Sequence, residues 1–416
     1  MAHRVVIIGQ FFNNRLAVLR PLGELGYDIS VIALESKKRR NIDSYSRYVS
    51  NYYLCSKDSA DELLAILLTK CVDENQRVIL IPIDDFSVYV LDSNYAKLKQ
   101  YFILPNIHDR QGAVVEWMDK NKQKGLAREI GLQVADSKSI SIVNGIYNIP
   151  SDILYPCFIK PQSFTLKAKK VLHRCDNEME LKKTLDSISR QYASIVVMIE
   201  DYKRIEREYA AVGVSNGCEV IIPGVIEIMS MGRGAGAGVA KTGSIVPITE
   251  YERLIEKFKT FVQKIGLVGI FDIDFYLCDN QFYFGELNLR YGGSGFVIFK
   301  KGINLPSMLV RSLIGEPINK MQKYIVSSST YTNEKVCLGD WYGCYMTTKE
   351  YNNTISSSNY QLINDKDDPE PERAFKRYFA MLFVKRIFKK TILIIINSRK
   401  VRVVISKTML RKYLRN

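Results

Sequence analysis

Four acids and amides in one short stretch carry most of the chemistry open to this sequence. Residues 266–296, GLVGIFDIDFYLCDNQFYFGELNLRYGGSGF, hold Asp272, Asp274, Glu286 and Asn288, with Arg290 two positions on. Aromatic and β-branched residues fill two arms around Asp279-Asn280, which reads as a β-hairpin. With a three-residue loop, Asp279 to Gln281, antiparallel pairing sets Asp274 opposite Glu286 and Asp272 opposite Asn288. One face then carries these four groups and Arg290. The other carries Phe271, Ile273, Phe275, Leu277, Tyr283, Leu287 and Leu289, the pattern of a sheet with one face on a core. Two carboxylates and a carboxamide make an oxygen-rich cluster suited to Mg²⁺, a hard ion that takes few protein ligands and fills its shell with phosphate oxygens. Arg290 adds a planar fork for an anion. A hairpin whose polar face is merely solvated gives the same pattern.

The elements that must position this hairpin begin with an alternating series. Arg4 to Gly9 is a short apolar strand, followed by a polar turn, a helix-like LAVLRPLGELG and a second strand, Asp28 to Leu34. A helix from about Ser59 to Asp73, a strand at Val78 to Ile81 and a helix near Phe86 to Gln100 continue it. Such alternation implies a parallel sheet with helices on its faces. The first turn, GQFFNN, lacks the G-x-G-x-x-G dinucleotide fingerprint, which disfavours a nicotinamide cofactor. Farther on, MDKNKQKGLAREIGLQVADSKSI gives a lysine-rich helix start and a strand. YPCFIKPQSF gives an apolar strand closed by Lys160, a lysine costly to bury unless an anion pairs with it. SIVVMIEDYKRIEREYAAVGV reads as strand, turn, strand. The glycine-rich run MGRGAGAGVAKTGSIVPI leads into a strand and lacks the G-K-[ST] helix start of a Walker loop; a glycine linker is the competing reading. INLPSMLVRSLIGEPI reads as a helix stopped at Gly315.

The D-x-D arm followed by E-x-N-x-R resembles the magnesium-binding end of the ATP-grasp superfamily, the fold of carbamoyl phosphate synthetase, biotin carboxylase and D-alanine–D-alanine ligase. ELNLR with its glycine turn is most similar to the D-aspartate ligase branch. The resemblance implies a division of labour. Lys120, with Lys122 as its rival, and Lys160 contact the nucleotide phosphates. Glu200, Asp201 and Tyr202 form the hinge at adenine, and Glu208 holds the ribose hydroxyls, or Glu206 if the turn is shorter. Lys241 is a further phosphate-contacting lysine, and Arg233 reaches the carboxylate substrate. Asp274, Glu286 and Asn288 hold Mg²⁺, as two ions, with Mn²⁺ as an alternative. Arg290, Gly292 and Gly293 steady the acid and its acyl phosphate. One departure is plain: relatives cover the phosphates with a glycine-rich loop, whereas SFTLKAKKV after Lys160 has no glycine and three lysines.

The fold class that follows is α/β and α+β. The expected units are an N-terminal βαβ pre-ATP-grasp domain over residues 1–115 and an ATP-grasp domain of two α+β subdomains clasping ATP over 116–318. A small lobe over 319–372, with strand-like KVCLGDWYGCYM, and a basic amphipathic tail over 373–416 complete the chain. The implied activity is ADP-forming ligation of a carboxylic acid to an amine through an acyl phosphate, with a cell-envelope or polysaccharide precursor as one substrate class. Alternatives are an ATP-grasp carboxylase, a non-catalytic nucleotide-binding protein, and a module that binds membrane or nucleic acid through the tail.

Composition narrows the setting. Apolar and charged fractions of 47% and 25% in 416 residues fit a folded chain of two or three domains. Fourteen of the 59 Lys and Arg lie between Arg373 and Asn416, where there is no acid, leaving the body at 45 basic against 44 acidic groups. The tail therefore carries +14 of the net +15, and its basic and apolar residues suit an anionic membrane surface, with packing on the body or nucleic acid as competitors. The tail carries no RNA-binding fingerprint, so nucleic acid is the weakest of the three. Eight scattered cysteines without C-x-x-C read as reduced thiols of a cytoplasmic protein. Three histidines argue against a His-based triad or metal site. Met1 runs straight into RVVIIG, which is read as the absence of a signal peptide, and no apolar run approaches the roughly 20 residues that span a bilayer. Oligomeric state is open, a dimer being compatible.

Overall fold

The computed structural model describes residues 3–397 apart from 36–40, 165–170, 235–237 and 319–323, and from residue 385 onward the backbone alone. The glycine-free loop after Lys160 and the tail beyond residue 397 lie outside the described residues.

The alternating series forms a parallel sheet in the order β3-β2-β1-β4-β5: β1 (Arg4–Gly9), β2 (Asp28–Glu35), β3 (Val49–Ser56), β4 (Val78–Pro82) and β5 (Phe102–Ile103). Val5, Val6, Ile7 and Ile8 are wholly buried, as a strand covered on both faces requires. Helices α1 (Phe12–Gly23), α2 (Ala60–Ile66) and α3 (Asp85–Ser93) flank it. The expected polar turn after β1 is shorter than read, because α1 starts at Phe12 and takes Asn13 and Asn14 into its first turn. Buried Arg15 fixes this start: its guanidinium donates to the Gly9 carbonyl at 2.5 Å and to Asp43 at 2.5 and 3.0 Å.

Helix α4 (Lys120–Glu129) follows, and then a four-stranded antiparallel sheet ordered β8-β7-β9-β6. Its strands are β6 (Ser137–Val143), β7 (Cys157–Pro161), β8 (His173–Cys175) and β9 (Ser194–Asp201), covered by α5 (Glu178–Ser189). The larger sheet runs β15-β12-β11-β10-β13-β14. It comprises β10 (Arg207–Asn216), β11 (Val225–Met231), β12 (Ala240–Val246), β13 (Leu267–Cys278), β14 (Gln281–Asn288) and β15 (Ser329–Thr332), with α6 (Glu252–Ile265) on one face and α7 (Leu305–Leu313) on the other. The first sheet and these two sheets give the α/β and α+β architecture expected.

The lobe after residue 318 departs from expectation. KVCLGDWYGCYM is not a strand: Glu334–Tyr342 is helix α8, capped by Asn333, whose side chain accepts from the Val336 N–H, with Glu334 in the first turn. Val336, Cys337, Leu338 and Trp341 bury its inward face at helical spacing, a pattern that short apolar runs share with strands. The lobe is also sewn into the body, since β15 pairs with β12. Buried Arg20 of α1 donates to Asp368 and to the carbonyls of Leu362 and Ile363. A last helix, α9 (Glu370–Asn397), packs Phe379 against Trp341 and then runs outward. Among the described residues no helix is long and apolar enough to cross a membrane.

Candidate active site

The hairpin reaches the expected register by a different route. The turn is two residues, Asp279 and Asn280, both left-handed at φ 49° and 58°, the form that matches strand twist. Cys278 therefore pairs with Gln281, and the ladder is shifted by one until a bulge at Gly285, after which Asp274 faces Glu286 and Asp272 faces Asn288. Gly285 is required there because a Cβ would meet the Asp274 carbonyl oxygen at 2.8 Å. The bulge also corrects one assignment. Tyr283 leaves the core face and stacks on its partner Tyr276 at 5.7 Å, while Phe282 and Phe284 pack with Phe275.

The polar face is crowded with charge. Asn288 donates to Asp274 at 2.9 Å and accepts from Arg290 at 3.1 Å. Arg290 also reaches Asp85 at 3.2 Å and Asp272 at 3.8 Å. Burial, then the neighbouring carboxylates Asp272 and Glu286, push the Asp274 carboxyl well above its usual range, and burial raises Asp272 to about 6. Glu286 goes the other way: burial opposes its charge, but Lys120, Lys160 and Arg290 outweigh that and hold it at about 2.

Two lysines are delivered to this face by an anchored helix and strand. Lys120 pairs with Glu286 at 3.1 Å. Its backbone N–H donates to the Gln162 carbonyl, and the Gln162 amide donates to Asp119, so the start of α4 is tied to the end of β7. Buried Gln123 exchanges two hydrogen bonds with the backbone of Leu287, at 2.9 and 2.8 Å, fixing α4 beside β14. Lys122, the rival of Lys120, turns away to Glu116 and the Trp117 ring. Lys160 pairs with Glu200 at 2.8 Å, and Glu200 also binds Lys124, which donates to the Ala135 carbonyl. At the expected hinge, Asp201 and Tyr202 already donate their N–H groups to the carbonyls of Asp136 and Pro156. Glu206 accepts from the Asp279 N–H.

A cleft of about 1580 Å³ opens beside these groups. It is lined by Glu208, Asp272, Asp274, Arg290, Gly292 and Gly293 and extends to Asn13, Asn14 and Lys335. The glycines let backbone approach closely: a Cβ at Gly292 would lie 2.0 Å from Asp272 Oδ2, and one at Gly293 would lie 2.4 Å from Asn14 Oδ1. Lys120, Lys160, Glu200, Asp201, Tyr202, Glu286 and Asn288 lie outside its lining, and Arg233 and Lys241 do not line it either. Lys241 pairs with buried Asp340 at 2.9 Å, and Asp340 also accepts the N–H groups of Arg233 and Gly234, pinning the glycine-rich run to α8.

Among the described residues no group of three or more His, Cys, Asp or Glu side chains forms a ready metal cage. The set here is Asp274, Glu286 and Asn288, with Asp272 Oδ1 buried and lacking a hydrogen-bond partner. Crowded carboxylates beside an amide oxygen fit a hard cation that shares its shell with phosphate.

Sequence reading missed Asp85, Gln123, Lys124 and Lys335. One signal was available for Asp85. The sheet order places a topological switch between β1 and β4, where ligands of open α/β sheets gather beyond the strand ends, and Asp84-Asp85 closes β4.

No family model matches the chain. It is 24% identical over 205 residues to the carbamoyl phosphate synthase large chain of Gemmatimonas aurantiaca, covering 48% of this chain and 18% of that protein. It is 27% identical over 252 residues to the formate-dependent phosphoribosylglycinamide formyltransferase of Wigglesworthia glossinidia brevipalpis, covering 56% and 58%. The chain thus spans less than two thirds of the length of these curated relatives. Among solved structures, N5-carboxyaminoimidazole synthase of Aspergillus clavatus, in complex with ADP and an aminoimidazole ribonucleotide, superposes with TM-score 0.59 at 14% identity over 79% of this chain and 81% of that one. The L-amino acid ligase of Bacillus licheniformis gives 0.56 at 15% over 79% of each, and biotin carboxylase of Campylobacter jejuni 0.59 at 17% over 79% and 74%.

Proposed function

Taking as premise that the chain has the ATP-grasp fold, we propose that it joins a carboxylic acid to an amine at the expense of ATP, releasing ADP and phosphate. The observation that carries this reading is the Lys120–Glu286 ion pair, with the charges of Lys160 and Arg290 also holding that carboxyl down, beside Asp274 and Asn288. A carboxylate is a poor electrophile because oxide is a poor leaving group; transfer of a phosphoryl group to it makes an acyl phosphate whose leaving group is phosphate. Such transfers rest on positioning and charge stabilisation. Lys120 and Lys160 are held by Glu286 and Glu200, so an arriving polyphosphate exchanges one anionic partner for another. Glu208, half-buried and raised by that burial, faces the cleft where the ribose would lie. Arg290, fixed by Asp85 and Asn288, holds the acid and then the adduct formed by the amine, with Gly292 and Gly293 leaving room for both. Asp274, Glu286 and Asn288 would hold Mg²⁺, which supplies charge neutralisation at the phosphates when bound. No protein nucleophile is required.

Lys241 serves the phosphates only if it leaves Asp340, and Arg233, whose N–H is held by Asp340, reaches the acid only if its side chain enters the cleft. The names of the structural neighbours include carboxylating enzymes as well as an amino acid ligase, so bicarbonate is the competing acid. A role with envelope precursors, and contact of the basic α9 region with an anionic membrane inside the cell, belong to the same reading. Exposed Val384 on α9, next to half-exposed Phe383 that stacks on Trp341, supports the membrane contact.

ADP release with MgATP is the test, against paired amino acids, envelope precursors and bicarbonate, for the parent and Glu286→Gln. The expected result is one acid-and-amine pair that triggers release, transfer of oxygen-18 from the labelled acid to phosphate, and at least a roughly 100-fold loss in the variant. Release in the variant equal to the parent would sink the reading.

A further inference from the structure

The cleft has a second end that the nucleotide reading does not use. It is formed where the start of α1 meets α8, and its floor carries Lys335. The ammonium of Lys335 sits 4.5 Å from the centre of the Phe12 ring and 5.7 Å from that of Phe11. It makes no hydrogen bond or ion pair among the described residues. The nearby carboxylates are committed elsewhere, Asp43 to Arg15 at 2.5 Å and Glu35 to Arg15 and Asn41, both at 3.1 Å. Burial, reinforced by the Arg15 charge and only partly offset by Glu35 and Asp43, lowers the Lys335 ammonium to about 8. At the rim Arg377 lies over the exposed Tyr45 ring at 5.9 Å.

A half-buried cation without an ion-pair partner is costly, and one that opens on a cleft invites an anion. The place is also right for a second substrate. Asn13 and Asn14 stand at the switch point of the parallel sheet, against Gly293, and so connect Lys335 to the Arg290 end of the same cleft.

We propose that Lys335 is the specificity-determining residue for the amine: the acceptor carries a second, negatively charged group, carboxylate or phosphate, held by this ammonium, with its body against Phe11, Phe12 and Tyr45. This rests on the ligase reading for the identity of the acceptor, though not for the existence of the anion subsite. An acceptor of this kind is anchored at its charged end, which leaves its amine directed toward Arg290. A charge-assisted contact in a half-closed pocket gives about 10-fold or more in affinity.

The test is a calorimetric titration of the full chain, with a non-hydrolysable MgATP analogue present, by ethanolamine, β-alanine and O-phosphoethanolamine. The three share an amine and differ in the distal group. At least one charged probe should bind about 10-fold or more tightly than ethanolamine, and whichever does so identifies carboxylate or phosphate as the group recognised. Lys335→Met should erase the preference and Lys335→Arg should retain part of it. Without ligand, Lys335→Met should melt no lower than the parent; a lower melting temperature would mark the lysine–phenylalanine contact as structural. Equal affinity for the three probes, absence of binding included, or a preference that survives Lys335→Met, overturns the subsite. The melting temperature of the parent with and without MgATP, read separately, reports on the nucleotide end: no shift there defeats the ATP reading whatever the amines do.

Discussion

The groups around the hairpin and the α1–α8 end of the cleft handle charge in opposite ways. At the hairpin end each cation is matched: Lys120 with Glu286, Lys160 and Lys124 with Glu200, Arg290 with Asp85. At the α1–α8 end Lys335 lies beside the Phe11 and Phe12 rings and, among the described residues, pairs with no carboxylate, Glu35 and Asp43 being bound to Arg15. The difference separates two ways of preparing a site. Matched charges hold side chains in place before a highly charged ligand arrives, and the ligand replaces one partner by another. An unmatched cation leaves the site with a standing cost that only a ligand relieves, which serves discrimination.

Breaking the match at the first end should have the largest effect. Glu200→Gln leaves Lys124 and Lys160 buried side by side without their carboxylate, and should cost about 3–5 kcal/mol in denaturant unfolding. MgATP should recover part of the loss, because phosphate supplies the missing negative charge. A loss below about 1 kcal/mol would mean that the pairs are solvent-screened and the contrast between the ends is false.

The next effect is geometric. Gly285→Ala places a methyl group 2.8 Å from the Asp274 carbonyl and forces the bulge to shift, at about 2 kcal/mol. Since the bulge is what sets Glu286 opposite Asp274, MgATP should bind the variant more weakly, by more than the stability loss explains. Unchanged MgATP affinity would show that the bulge does not hold the register.

The smallest effect sharpens the other end. Lys335 in the folded chain releases its proton near pH 8, below the 10.5 of an exposed lysine. Between these values the unfolded chain binds more protons than the folded one, so this group destabilises the fold below about pH 8 and the penalty fades as pH rises toward 10.5. Glu35 and Asp43 favour its charge and Arg15 opposes it. Parent stability should therefore gain on that of Lys335→Met across this window. Parallel curves would place the ammonium in water.

The hairpin end was legible in the sequence because its key pairs are local in the chain. Asp274 and Glu286 face each other across one hairpin, and the alternation of apolar residues set the register near Asp272. The reading succeeded there through two offsetting errors, a loop one residue too long and an unseen bulge at Gly285, and it failed between them, at Tyr283. Lys120 and Lys160 came from resemblance rather than from pattern. What stayed hidden joins distant segments: Asp85 meets Arg290 across 205 positions, and Gln123 meets Leu287 across 164. Lys124 looks like any lysine on a polar helix, and its burial follows from the docking of α4 on β14. α8 was misread because Val336, Cys337, Leu338 and Trp341 fit either period over so short a run, and only the Asn333 cap decides it. Lys241 was placed by its position after a glycine run, and its ion pair with Asp340 depends on a helix that had been read as strand.

The most direct test is equilibrium binding of MgATP to the parent chain and to Glu286→Gln, followed by thermal melting with and without 100 times the parent's Kd of nucleotide. If the cleft beside this hairpin is an ATP site, MgATP should stabilise the parent by about 2.7 kcal/mol under those conditions, and the variant by far less. Equal stabilisation of both proteins, or of neither, would contradict the account.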